Sequence, residues 1–114
     1  MSIAMTFPID RLRLNKLIDL HFDDVTPDEV NFFMAELEAN APWVSRLDPV
    51  RQLVLIDLVI AEGYDVFRNE EMMLAFRHKR FDEASTLILY QWTDERAYRL
   101  AEMTATGEYC DDIA

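Results

Sequence analysis

The residues around position 21 form the first group whose side-chain types could support chemistry. His21 is close in sequence to Asp19, Asp23 and Asp24, and imidazole nitrogens together with carboxylate oxygens can bind a divalent metal ion. A metal site normally has several ligands at an ordered spacing, whereas this segment has one histidine and no such order. We therefore expect a solvent-exposed cluster here and no metal ligand.

Asp57 is the second residue that stands out, because it interrupts an otherwise apolar stretch. Residues 53–60 are all apolar except for this carboxylate. A buried carboxylate is strongly unfavourable unless a cation or hydrogen-bond donors accompany it. Arg96 and Arg99 are the candidate partners, and we predict a structural ion pair or hydrogen bond at Asp57 rather than a catalytic role.

Other catalytic signatures are absent from the sequence. It contains no glycine-rich phosphate loop and no nucleophile elbow. Cys110 is the only cysteine and has no histidine nearby, so neither an internal disulfide nor a cysteine–histidine pair is expected. We predict no cofactor.

Composition limits both the fold class and the partner. The 114 residues are 51% hydrophobic and include only two glycines, which is typical of one helical globular domain and not of an all-β fold. The net charge is −11, and such a surface repels nucleic-acid phosphates and anionic membranes. A protein partner with a basic patch fits this charge better, although the acidity alone would also keep a small protein soluble.

Targeting segments are not evident either. Residues 1–7 lack the basic start and the apolar run of a signal peptide, and the longest apolar stretch is too short to span a bilayer. The sequence therefore predicts a cytoplasmic location.

Start and stop residues predict a single all-α domain over residues 1–107. Thr26, Pro27 and Glu29 form a helix-start pattern with a capping box. Asp48 and Gly63 bracket an apolar helix over about 50–62, although the apolar run by itself could also be a buried strand. The prediction is a bundle of five to six helices around this central helix, followed by a mobile acidic tail. The expected helices are 8–21, 26–40, 50–62, 66–78, 82–90 and 93–107, and the tail is 108–114.

Several side chains lie off the inward-facing stripes of these helices. Exposed apolar groups at such positions can form a partner-binding patch. The off-stripe candidates are Phe32, Met72 and Tyr98, and the acidic Glu70 and Glu71 are candidate partner-binding residues beside them.

The order of landmarks in the second half of the chain resembles a known family. These landmarks are residues 43–52 (WVSRLDPVRQ), the buried run ending at Gly63, Phe67, residues 80–84 (RFDEA), Trp92 and residues 96–107. Together they resemble the C-terminal helical lobe of phage-type lysozymes, the muramidases with which tailed phages open cell walls. The resemblance covers about residues 26–109 and implies the helical fold of that lobe.

The catalytic part of that family has no clear counterpart in this chain. The resemblance implies a glutamate acid before a helix start, followed by a β-hairpin that supplies an aspartate and a threonine. Asp10 occupies the place of the glutamate, and Arg11 that of the glycine after it. Only eleven residues, without Gly or Thr, separate Leu14 from Thr26. The catalytic hairpin is therefore expected to be missing.

This absence decides the predicted function. Glycoside hydrolysis generally uses two carboxyl groups roughly 5–10 Å apart, one of them with a raised pKa in an apolar pocket. We therefore expect a non-catalytic phage or prophage protein that uses the lobe to bind another protein. It would be a virion component, or an acidic blocker of a host factor that imitates nucleic acid. Its location would be the host cytoplasm or the virion.

Two alternatives remain open. One is a divergent minimal muramidase that uses Asp10 with another carboxylate. The other is a lysis-associated protein that binds a co-encoded lysozyme. The sequence is also compatible with a homo-oligomer.

Overall fold

The computed structural model describes residues 9–114, and every regular element in this range is a helix. Seven α-helices and one 3₁₀ helix follow one another and pack into a single body. They are α1 (Arg11–His21), α2 (Pro27–Asn40), the 3₁₀ helix (Pro42–Arg46), α3 (Pro49–Glu62), α4 (Asp65–Arg68), α5 (Glu70–Arg77), α6 (Phe81–Gln91) and α7 (Glu95–Thr106). The predicted all-α class is confirmed. The predicted start at Pro8 and the expectation for residues 1–7 lie outside the described residues.

Short polar side chains cap the starts of the helices. Thr26 and Glu29 form the predicted capping box at the start of α2, and the Asp48 carboxylate accepts from the Arg51 N–H at 3.2 Å at the start of α3. At α7 the cap is Asp94, whose carboxylate accepts from the Ala97 N–H at 2.8 Å. The helix itself begins at Glu95, so the predicted start at residue 93 is two positions early. Such caps typically contribute about 1 kcal/mol each.

The central helix is α3, as predicted. Nine of its fourteen residues are buried, including every residue from 52 to 59. It contacts α1, α2, α4 and α7, and a helix that is apolar on nearly all sides needs such neighbours around it. Gly63 ends α3 at φ +63° and ψ −140°, a conformation that favours glycine.

The segment after Gly63 differs from the prediction. A single helix over 66–78 was expected, but the chain forms the short α4 and then α5. Asn69 stands between them, and its side chain accepts from the Met72 N–H at 3.2 Å to cap α5. An asparagine competes with helical hydrogen bonding in this way, and the break raises the helix count above the predicted five to six.

Residues 108–114 were predicted to form a mobile tail. In the structure they pack against the helices instead. Ile113 is 1% exposed and belongs to the core. The Tyr109 hydroxyl donates to the Asp10 carboxylate at 3.2 Å, and Asp112 pairs with Arg99 at 3.3 Å. Burial of one isoleucine among acidic residues anchors the segment.

Candidate functional site

The buried polar cluster around Asp57 joins three helices. Asp57 on α3 is 1% exposed, and each of its oxygens has a partner. Arg96 Nε on α7 donates to Oδ1 at 2.9 Å, and His21 Nδ1 at the end of α1 lies 2.5 Å from Oδ2. Arg99 does not contact Asp57. Its Nη1 lies 2.9 Å from His21 Nε2.

The hydrogen-bond roles in this cluster fix the state of the His21 ring. A guanidinium group can only donate, so His21 Nε2 accepts the hydrogen bond from Arg99. His21 Nδ1 then carries the proton that is donated to the Asp57 carboxylate. This tautomer is assigned from the hydrogen-bond partners of the ring. His21 therefore bridges Asp57 and Arg99.

The prediction that His21 belongs to a solvent-exposed acidic cluster is wrong. Its side chain is 2% exposed, whereas Asp19, Asp23 and Asp24 are exposed. Position 21 continues the buried stripe of α1, which consists of residues 14, 17 and 18. The spacing i, i+3, i+4, i+7 in the sequence would have indicated an inward-facing histidine. Within residues 9–114 no group of three or more His, Cys, Asp or Glu side chains could hold a metal ion.

Asp10 has the environment of a helix cap rather than that of an acid catalyst. Its carboxylate accepts from the Arg13 N–H at 3.1 Å and pairs with the Arg13 guanidinium at 3.3 Å. The backbone hydrogen bond from Arg13 is the main cause that lowers the pKa of Asp10, and the Tyr109 hydroxyl adds to it against a smaller opposing effect of burial. A glycosidase acid needs a raised pKa, so the cap works against that chemistry.

A polar groove near the end of α3 is lined by two other carboxyl groups, those of Glu62 and Asp65. Its volume is about 340 Å³, and it is lined by Glu62, Asp65, Arg68, Asn69, Gln91 and Trp92. Asp65 pairs with Arg68 at 3.3 Å, and the two side chains are 74% and 80% exposed. A carboxyl group acts as a general acid at neutral pH when an apolar enclosure surrounds it, and Asp65 has none.

Four aromatic rings form a surface that we call the aromatic patch: Phe32, Phe33, Tyr64 and Phe67. The rings of Phe32 and Phe33 meet edge to face at 5.4 Å, and those of Tyr64 and Phe67 lie 6.0 Å apart. Phe32 and Tyr64 are each 54% exposed. They lie around one shallow depression between α2 and the end of α3, so the patch is one continuous apolar surface.

An acid lies at the edge of the aromatic patch. The Tyr64 hydroxyl donates to Glu36 Oε2 at 2.6 Å, and this hydrogen bond is the main cause that raises the pKa of Tyr64. The contact holds the Tyr64 ring in place beside a carboxylate. The patch therefore combines an apolar centre with negative charge at its rim.

A second depression, which we call the α5 groove, adjoins the patch through Phe67. Its volume is about 340 Å³, and its lining residues are Trp43, Phe67, Glu70, Met73, Leu74 and Arg77. Leu74 is 45% exposed. The groove is apolar in the middle and has an acid and a base on the α5 side.

The predicted partner-binding residues are divided by the structure. Phe32 lies in the aromatic patch and Glu70 in the α5 groove, while Glu71 is exposed beside it. Tyr98 is 59% exposed on α7 but lines neither depression. Met72 is fully buried, so its assignment to the surface is wrong. The start of α5 at residue 70 turns residues 72, 73, 75 and 76 inward.

Comparisons with known proteins give no relative. No protein-family model matches the sequence, and no curated protein or solved structure matches it at a significant level. The fold defines the class as an all-α domain, while the resemblance to phage lysozymes stays a prediction from the residues. The helices within residues 9–114 are all too short or too polar to cross a membrane.

Proposed function

We propose that this chain is a non-catalytic protein-binding module and that the aromatic patch is its docking surface. The observation that carries the proposal is the pair of half-exposed rings, Phe32 and Tyr64, around a common apolar depression. Aromatic side chains supply much of the binding energy at protein interfaces because they bury a large rigid area. Covering this patch would remove both rings from water.

The charge of the chain indicates the character of the partner. The net charge is −11, and Glu36 lies at the edge of the patch in contact with Tyr64. A partner that inserts an apolar side chain and brings a basic group towards Glu36 would be complementary in both respects. The long-range field would also steer a basic partner towards this surface.

The biological setting that we propose follows from the lysozyme-like landmarks. We infer a phage or prophage protein that acts in the host cytoplasm or in the virion. It would be a virion component or an acidic blocker of a host factor. The capped and ion-paired environment of Asp10 supports a non-catalytic role over the muramidase alternative.

The docking proposal is tested by affinity capture from host lysate with matched variants. The variant Phe32→Ser/Tyr64→Ser removes both exposed rings without touching the core, and Tyr90→Ser removes a ring that is 88% exposed on α6. We expect the wild type and Tyr90→Ser to retain the same protein, and the double variant to lose it by at least about tenfold in affinity. Equal retention by the double variant would contradict the proposal.

The enzymatic alternative has its own test. Purified protein is incubated with peptidoglycan, and the release of soluble fragments is measured for the wild type and for Asp10→Asn. We expect no release by either. Release by the wild type that Asp10→Asn abolishes would establish a muramidase and overturn the non-catalytic proposal.

A further inference from the structure

Helix α5 has opposite charges at its two ends and an exposed leucine between them. Glu70 and Glu71 are exposed at its N-terminus, and the exposed residues 77–80 (Arg-His-Lys-Arg) follow at its C-terminus. Glu70, Leu74 and Arg77 are spaced i, i+4, i+7 and therefore share one face of the helix. All three line the α5 groove.

The helix dipole explains only part of this arrangement. Acids near a helix N-terminus and bases near its C-terminus are each stabilised by the dipole, which accounts for the order of the charges. It does not account for a leucine that is 45% exposed midway between them. Nor does it account for the apolar groove of Trp43, Phe67 and Met73 beside that leucine.

We propose that the α5 groove binds a second copy of this chain, with the two α5 helices antiparallel about a two-fold axis. The midpoint between positions 70 and 77 is 73.5, so such an axis passes close to Leu74. Glu70 of each copy then lies opposite Arg77 of the other, as an interface that uses the same surface twice requires. Each Leu74 covers the apolar wall of the other copy's groove.

The charges on α5 make this surface compatible with self-association. Two chains of charge −11 repel each other, although salt at 0.15 M screens exposed charges beyond about 8 Å. Residues 77–80 contain three of the eleven Lys and Arg residues in four positions, and this positive charge reduces the repulsion around α5. A parallel pairing would place Glu70 against Glu70, whereas the antiparallel one places opposite charges and opposed helix dipoles together.

This inference goes beyond the proposed function. Phe67 lines both surfaces, so the two are distinguished by variants at residues that line only one of them. Phe32 and Tyr64 of the aromatic patch do not line the α5 groove. A variant in one surface therefore leaves the exposed groups of the other unchanged. Self-association and capture of a partner can be measured separately.

The self-association is tested by sedimentation equilibrium of the full chain at about 0.15 M salt, over protein concentrations from about 1 μM to 1 mM. We expect a monomer–dimer equilibrium that Leu74→Asp weakens at least tenfold. Leu12→Asp is the matched control, because Leu12 is 58% exposed on α1 and does not line the groove. We expect this control to leave the dissociation constant unchanged.

Charge exchange tests the antiparallel arrangement. Glu70→Arg and Arg77→Glu each place like charges opposite each other twice, so each should weaken the dimer about tenfold. The double variant Glu70→Arg/Arg77→Glu restores both pairs and should return the dissociation constant to within about threefold of the wild type. Circular dichroism checks that each variant keeps its helical content.

Three results would overturn the inference. A wild-type chain that stays monomeric over the whole concentration range would exclude the second copy as the occupant. A dimer that Leu74→Asp leaves intact would exclude the α5 groove. A double charge variant no tighter than the single variants would exclude the antiparallel pairing.

Discussion

Asp57 shows how one polar residue can connect distant parts of a chain. Its two oxygens accept from side chains 36 and 39 positions away in sequence, His21 and Arg96. Arg99 extends the connection from His21 to Asp112 in the C-terminal segment. The carboxylate is buried and negative, so its removal leaves donors and positive charge without compensation. Removal of one member of a buried ion pair typically costs about 3–5 kcal/mol.

We expect Asp57→Ala to lower the free energy of unfolding by about 3–5 kcal/mol, because Arg96 and His21 lose their common acceptor. Urea unfolding followed by circular dichroism measures the change. Asp65→Ala is the control, since Asp65 is 74% exposed in a surface pair with Arg68, and it should change stability by less than about 1 kcal/mol. Equal effects of the two substitutions would contradict a stabilising role of the buried cluster.

Among the helices, the end of α5 has an unfavourable backbone conformation, because a residue with a side chain has a positive φ angle there. Lys79 has φ +59°. Among residues 9–114 it is the one non-glycine residue with a positive φ angle. The Arg80 N–H bonds to the Ala75 carbonyl at 2.8 Å, and the Lys79 N–H bonds to that of Phe76 at 3.0 Å. These two bonds form the Schellman motif, whose left-handed position usually holds glycine.

We expect Lys79→Gly to stabilise the protein by about 0.5–1 kcal/mol, because glycine adopts the left-handed conformation without the cost that a side chain incurs there. The same substitution inside a helix should have the opposite sign. Lys16→Gly in the exposed part of α1 should destabilise by about 1 kcal/mol. Thermal unfolding of both variants measures the two shifts, and a lower melting temperature for Lys79→Gly would refute the argument.

In the whole molecule, the C-terminal segment contacts both the first and the last helix. Tyr109 reaches the Asp10 cap of α1, and Arg13 of α1 lies 5.2 Å from the centre of the Tyr109 ring. Arg51 of α3 donates to the Thr104 carbonyl at 2.8 Å near the end of α7. A Cβ at Gly107 would meet Arg51 Nη1 at 2.4 Å. The turn into the segment therefore lies directly against the Arg51 guanidinium group.

We expect Ile113→Ala to cost about 2–5 kcal/mol of unfolding free energy, as for other buried aliphatic side chains. The residue lies one position before the end of the sequence, yet it is 1% exposed. Leu12→Ala at the 58% exposed position of α1 is the control and should cost less than about 0.5 kcal/mol. Chemical denaturation compares the two. A negligible effect of Ile113→Ala would mean that the segment does not contribute to the fold in solution.

Features that depend on neighbours along the chain could be predicted from the amino-acid sequence. Caps at Thr26 and Asp48, the stop at Gly63 and the apolar run inside α3 are local patterns, and they predicted the helices and the central position of α3. The sequence also predicted that Asp57 needs a cationic partner, because a carboxylate in an apolar helix is buried away from water. These predictions follow from hydrogen bonding and hydrophobic periodicity within a few turns.

Contacts between side chains that are distant in sequence depend on how the helices pack, and local patterns did not predict them. His21 follows the stripe of α1, but its contact with Asp57 depends on how α1 packs on α3. Gln52 is fully buried on α3, and its amide nitrogen donates to the carbonyls of Val44 and Leu47 in and just after the 3₁₀ helix. The inward side of α5 depends on the break at Asn69, and the aromatic patch depends on the approach of α2 to the end of α3. Burial and pairing are set by the three-dimensional neighbours of a residue, and periodicity along the chain does not specify those neighbours.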